Sequence, residues 1–315
     1  MTIGIPRALL WHKYGTLWEA FFQGLGVGYV LSPETDKAIF NDGLRAAMDE
    51  SCLPAKVFLG HVASLIGRCD FILVPRVETL NKADSACVKF FALRDVVWNV
   101  FAPRLKAAGT EILDYNVNVA EGLTEEKAFI RMGKELGAGR RAARAAYGAA
   151  RAAQNLADQK RAENALNKLA AGYPKILVAG HAYNVYDPYI GAPAVRYLEK
   201  LGATPILANE FDAGLCAAAS PAVSKPLYWA YNKELAGAVS LYHGGADGLV
   251  FLTAFPCGPD SLVVENLMRK FPGVPKLHLV LDELQNEAGL RTRLESFVDI
   301  IVNEIIDLSP NSRVG

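Results

Sequence analysis

The residues best suited to chemistry in this chain are cysteines and a few polar side chains that stand where strands end. "FLTAFPCGPDSLVVEN", Phe251 to Asn266, reads as a buried strand, then Cys257 between two prolines, then helical spacing. Gly258 frees the backbone to approach a bulky ligand and aim amide N–H groups at its negative charge, while Asp260 and Ser261 are close enough in sequence to hydrogen-bond sulfur. Cys52 stands two residues before Pro54 in "DESCLPAKVF", and Cys87 lies in a loop, "NKADSACVKFF". A thiolate so placed is a metal ligand or a nucleophile, whereas a buried thiol is a small hydrophobe. No CxxC pair occurs, so spacing alone leaves a metal site, one catalytic cysteine and a structural role open. Cys69, opening a strand, and Cys216, in the small-residue surface segment "AGLCAAAS", read as non-ligands. In "GHAYNVYDP", His181, Tyr183 and Asp187 follow a strand, where they would donate protons to a reduced substrate or brace the loop; His61 in "LGHVAS" reads as structural.

These residues need a scaffold, and the hydrophobic pattern supplies one. "TIGIPRALL", "VGYVLSP", "CDFILVPR" and "TEILDYNV" read as strands separated by helical stretches, as do "PKILVAG", "ATPILANE", "ADGLVFLTAF" and "PKLHLVLDE" further on. Alternation of this kind means parallel sheets covered on both faces. The expected architecture is α/β: a lobe over residues 1–124, a helical connector rich in alanine and charge over 125–171, and a second lobe over 172–315, both lobes doubly wound. Ligands collect beyond the carboxyl ends of such strands, where Pro6, Arg7, Cys87, His181, Cys257, Glu283 and Glu287 fall, and two lobes facing across a cleft would bring those loops together.

Composition narrows the partners. Lys+Arg and Asp+Glu balance at 33 each, which removes the electrostatic reason to expect nucleic acid or an anionic membrane. No stretch approaches the roughly 18 continuous apolar residues of a membrane span, and "MTIGIPRALLWHKYG" opens as a strand rather than a signal peptide, so a cytoplasmic location is expected. Five widely spaced cysteines do not form a disulfide framework.

"IGIPRALLWHKYGTLWEAFFQGLG", "DESCLPAKVFLGHVASL", "DFILVPR", "GHAYNVYDPYIG", "FPCGPDSLV" and "EAGLRTRLESFVD" together resemble the 2-hydroxyacyl-CoA dehydratase-related superfamily, in the branch of dehydratase-activator-related proteins of unknown function that includes double-cubane-cluster proteins. The resemblance implies two Rossmann-like lobes with an iron–sulfur cluster in the cleft between them. It implies Cys52, Cys87 and Cys257 as the cluster ligands, either of a 4Fe–4S cubane with an open iron site or of a double-cubane 8Fe–9S form. It implies a low-potential reductase component fed by an actin-like ATPase activator that carries its own iron–sulfur cluster, acting on a small-molecule substrate, with a homodimer possible. A dehydratase subunit and a non-catalytic two-lobe cluster- or ligand-binding protein are the alternatives. No GxxxxGK[ST] run occurs, so ATP hydrolysis would fall to a partner. Two departures stand out: Val88 follows Cys87 where the family favours proline, and "DELQNEAG" lacks the histidine usual before the last helix.

Overall fold

The computed structural model describes residues 1–284 and 287–308; Gln285 and Asn286, within "DELQNEAG", lie outside the described residues. The chain divides into two units. Unit 1 holds Met1–Asp158 with Asp187–Tyr189 and Tyr228–Tyr231; unit 2 holds Gln159–Tyr186, Ile190–Leu227 and the residues from Asn232 on.

In unit 1 the elements run β1 (Thr2–Ile5), α1 (Trp11–Gly24), β2 (Gly28–Leu31), α2 (Lys37–Ala46), α3 (Leu53–Leu65), β3 (Phe71–Leu73), β4 (Arg76–Thr79), α4 (Val88–Ala108), β5 (Glu111–Leu113), β6 (Asn116–Asn118) and α5 (Glu125–Glu135), followed by the start of α6 (Arg140–Ala171). The first sheet has the order β2-β1-β3-β5, parallel throughout. Two expected strands each divide: "CDFILVPR" becomes β3 and β4, and "TEILDYNV" becomes β5 and β6. Pro75 has no N–H to give the ladder, so the paired strands bend there and continue as a separate parallel pair, β4 with β6.

Helix α3, which follows Cys52 and carries His61, is fixed against α2 by an unusually close crossing. A Cβ placed at Gly43 of α2 would fall on the carbonyl oxygen of Lys56, and one at Gly60 of α3 on that of Ile39. Only glycine permits this approach. Gly60→Ala is therefore expected to push α3 off α2 and destabilise the protein by about 1–3 kcal/mol, measured by denaturant unfolding; a loss within error of zero would contradict the crossing.

Unit 2 takes the rest of α6 and then β7 (Lys175–Ala179), α7 (Ala182–Val185), α8 (Ala192–Lys200), β8 (Thr204–Leu207), α9 (Ala213–Ala219), α10 (Ala230–Tyr242, mostly in this unit), β9 (Gly248–Ala254), α11 (Gly258–Lys270), β10 (Lys276–Leu281) and α12 (Glu287–Leu308). Its sheet, β10-β9-β7-β8, is also fully parallel. Every residue of β9 is buried, which is why "GLVFLTA" reads as an unbroken apolar run rather than an alternating one. The segment "AGLCAAAS" is a helix, not a surface stretch, and Cys216 is buried: Asp212 caps α9, and a Cβ at Gly237 of α10 would fall on the carbonyl oxygen of Cys216.

Both sheets wind the same way. The first strand of each unit lies inside, the second on one side of it and the third and fourth on the other, so a topological switch point falls between β1 and β3 and again between β7 and β9. At such a point the connecting segments part to opposite faces and leave a crevice at the carboxyl ends.

Candidate functional site

The three cysteines singled out by sequence share one local structure. Cys52 is the N-cap of α3, Cys87 of α4 and Cys257 of α11, each with extended backbone and none making a side-chain cap hydrogen bond. Their carbonyls begin the helices, accepting from Ala55, Phe90 and Ser261 N–H at 2.9, 2.9 and 3.1 Å. Cysteine is a poor choice for this position, since caps are ordinarily Ser, Thr, Asp or Asn. The same chain uses those residues elsewhere: the side chains of Asp36, Thr124 and Asp212 cap α2, α5 and α9. The three thiols thus add no cap hydrogen bond to their helices, and first-turn amides with the helix dipole would favour negative charge on a sulfur placed there.

Cys87 ends its loop as a helix cap, and Val88 starts α4 without the family's proline. The approach to Cys87 is pinned by backbone bonds, Ser85 N–H to the Tyr228 carbonyl at 2.9 Å and Ala86 N–H to the Glu78 carbonyl at 2.7 Å. Cys52 stands in the break between α2 and α3, with Pro54 in the first turn of α3, where its missing N–H costs nothing.

Cys257 sits beside a buried polar set at the unit 2 switch point. His181 follows β7 and Cys257 follows β9, neighbouring strands, so the topology brings their loops together. His181 Nε2 and Asn232 Nδ2 both bond Asp260 Oδ1, at 2.8 and 2.7 Å, and all three residues are buried. Burial by itself pushes the Asp260 carboxyl up; charge interaction with His181 and hydrogen bonds from His181, Asn232 and the Cys257 thiol outweigh it and hold it below the usual carboxylate value. The Tyr183 ring stacks on His181 at 4.9 Å between centroids. Ser261 instead turns its hydroxyl back to the Cys257 carbonyl at 2.8 Å, and Gly258 faces open space. Asn232 escaped the sequence reading; its only signal was an amide on the apolar face of "YWAYNKELAG".

Asp187 belongs to a different set, in unit 1. The chain Ser32–His61–Thr35–Asp187 is joined by contacts of 2.7, 2.9 and 2.6 Å, and Asp187 also accepts from Tyr189 N–H at 2.9 Å. Its polarity can be deduced. Thr35 donates its hydroxyl to Asp187, so its oxygen accepts from His61 Nε2–H; Nδ1 is then the acceptor of the Ser32 hydroxyl, whose oxygen takes the Arg7 N–H at 2.8 Å. His61 is fully buried and lowered to about 4, by burial first and then by Arg7, against a smaller opposing effect of Asp36, which keeps it in this neutral tautomer. His181, Tyr183, Cys257, Asp260 and Asn232 are thus gathered in unit 2, while Asp187, Cys52 and Cys87 lie in unit 1.

The thiols fit a soft metal or iron–sulfur group in donor chemistry, and none of the five cysteines is in a disulfide. Among the described residues, no group of three or more His, Cys, Asp or Glu side chains is set to hold a metal ion. No helix among them is long and apolar enough to cross a membrane.

No curated protein matches the chain. Solved structures that do include a histidine-to-leucine variant of Zn(II)-bound AdcAII of Streptococcus pneumoniae, at 12% identity over 96% of this chain and 98% of that one, with a TM-score of 0.28. A Mn-bound periplasmic metal binding protein from candidatus liberibacter asiaticus, a serine-to-alanine variant, is 10% identical over 96% of this chain and 100% of that one, also at 0.28. ZnuA is 12% identical over 96% of this chain and 98% of that one, at 0.26. Likenesses at such TM-scores carry no argument about this chain. The family model described as "CoA enzyme activase uncharacterised domain" matches residues 2–210, from β1 to the turn after β8, and so takes in Cys52, Cys87 and His181. With more than half of its length so matched, the chain belongs to the family of the CoA enzyme activase uncharacterised domain.

Proposed function

We propose that this chain is an iron–sulfur protein, the low-potential reductase component of an ATP-dependent system, and that Cys52, Cys87 and Cys257 are its cluster ligands. The observation that carries the reading is the recurrence of cysteine at three helix N-caps in a chain that caps other helices with Asp and Thr. A cluster held by these residues would store and pass single electrons, and three thiolates, where a cubane usually takes four, would leave one iron open to a further ligand. In this reading the first-turn amides of α3, α4 and α11 stabilise the negative charge of thiolate and sulfide. His181, fixed by Asp260 and stacked on Tyr183, is the proton donor to a reduced small molecule. Membership of a CoA enzyme activase-related family supports a working relationship with an activator. An actin-like ATPase with its own cluster is the partner we assign.

The test is activator-dependent reduction. Anaerobically reconstituted protein is mixed with a purified, pre-reduced activator of the actin-like ATPase type, and its visible absorption is followed with and without ATP. Bleaching that requires both activator and ATP, and that Cys52→Ala, Cys87→Ala and Cys257→Ala each abolish, is the expected result. Equal reduction without ATP sinks the proposed role.

A further inference from the structure

Helices α8 and α12 pack against each other in unit 2, each with an apolar side: Ala194 and Leu198 of α8 and Leu290 and Leu294 of α12 are buried. Where the start of α12 meets α8 a cleft of about 120 Å³ opens, several times the space one water needs. Pro193 and Leu290 give it an apolar part. The rest of the lining is Arg196, Tyr197, Lys200, Glu287 and Arg291, so the cleft belongs to the two helices alone and includes no cysteine.

The charges of this lining do not cancel. Arg196 and Lys200 stand one turn apart on α8, a like-charge spacing that destabilises a helix, and among the described residues neither makes a hydrogen bond or an ion pair. The helix dipole favours Lys200 in the last turn of α8 but does not reach Arg196, a turn earlier. Arg291 is the third cation. Its guanidinium donates to Glu287 Oε1 at 2.6 Å and lies over the Tyr197 ring, 5.4 Å from the centroid, so two contacts hold it at the cleft. The Tyr197 hydroxyl donates to Glu295, which does not line the cleft. Three cations against one carboxylate leave two positive charges in excess.

We infer that the cleft between α8 and α12 binds a phosphate group, as the free ion or as the monoester of a larger molecule, through Arg196, Lys200 and Arg291. A phosphomonoester carries about −1.5 to −2 at pH 7, which matches the excess of the lining. The planar fork of each arginine bonds two phosphate oxygens at once, and lysine adds a point charge. Glu287 and Tyr197 are positioning residues: one bonds the Arg291 guanidinium and the other supports its face. The three cations are exposed, so binding is weak and salt-sensitive, with half-saturation at about 1 mM at low ionic strength.

The test is an NMR titration of the full chain, free of iron and isotope-labelled in nitrogen, at neutral pH and constant low ionic strength. Inorganic phosphate and phenyl phosphate are the probes, and acetate is the monoanion control. Saturable shifts of the Arg196 and Arg291 Nε–H resonances are expected with both probes, and the tighter of the two tells free ion from ester. The double variant Arg196→Gln/Lys200→Gln should raise the half-saturating concentration by about tenfold or more. Arg140→Gln/Arg141→Gln, two exposed arginines of α6 whose loss changes net charge equally, should leave it within about twofold. Cys257→Ala should leave the response intact, which separates this site from the fate of the cluster reading. Absence of saturation by about 20 mM with either probe, equal saturation by acetate, or equal losses in the two double variants overturns the inference and leaves a solvated basic surface.

Discussion

Asp260→Ala is expected to lower folding stability by about 2–5 kcal/mol, the loss when two buried donors are left without their shared acceptor. The side chain is 4% exposed and is the acceptor for two buried donors at once, His181 and Asn232. Alanine would leave both donors facing a space with no acceptor, and each would then carry its own desolvation penalty. Asp260→Asn keeps an oxygen in the same place but gives up the charge, so its loss should be about half. The two effects separate in a double-mutant cycle with His181→Ala, where a coupling of at least about 1 kcal/mol is expected. Denaturant unfolding of the four proteins measures it. A loss below about 1 kcal/mol for Asp260→Ala would mean the network adds nothing to the fold.

Acid should destabilise the protein well above the pH at which carboxylates titrate. His61 is lowered to about 4 from its ordinary 6.5, by burial first and then by Arg7, while Asp36 opposes the shift. The native state therefore binds fewer protons than the unfolded chain between those values, and stability falls as pH drops from about 6.5 to about 4. The gap corresponds to about 3 kcal/mol for this residue. His12, lowered to about 3 by burial and then by His61 and Arg7, acts in the same direction. Asp260 works in a separate window: its carboxyl is held below the usual value, so its contribution is complete above about 3.8 and is lost only as pH falls further. Unfolding free energies measured at steps from pH 7 to pH 4 should show the decline, and His61→Gln should flatten it. A flat profile to pH 4.5 would contradict the neutral, doubly bonded His61.

Much of this architecture is legible in the sequence, because parallel strands buried on both faces leave continuous apolar runs such as "GLVFLTA" and because glycine and proline mark where those runs stop. The same signal hides finer structure. In "CDFILVPR" Pro75 is the one mark of the bend, and a proline near the end of an apolar run reads equally as its stop, so the second pair of strands is hidden. "AGLCAAAS" is too short and too uniformly small for a helical period to emerge, and Asp212 was the one cue to its cap. Of the site, the cysteines and His181 are readable from their places after strands or beside proline. Asn232 is not, because its function is to satisfy an acceptor 28 residues away in the chain. Asp187 shows the same limit in the other direction: proximity in sequence to His181 placed it with that residue, whereas its hydrogen bonds tie it to Thr35, 152 residues earlier.

Iron and acid-labile sulfide per chain, determined on protein purified and reconstituted without oxygen, test the proposed cluster most directly. About four of each are expected for a single cubane, or about eight iron with nine sulfide for the double-cubane form, and Cys257→Ala should lose most of both. Absence of iron from the wild-type protein after anaerobic reconstitution would contradict the account and leave the three cysteine caps without a ligand to hold.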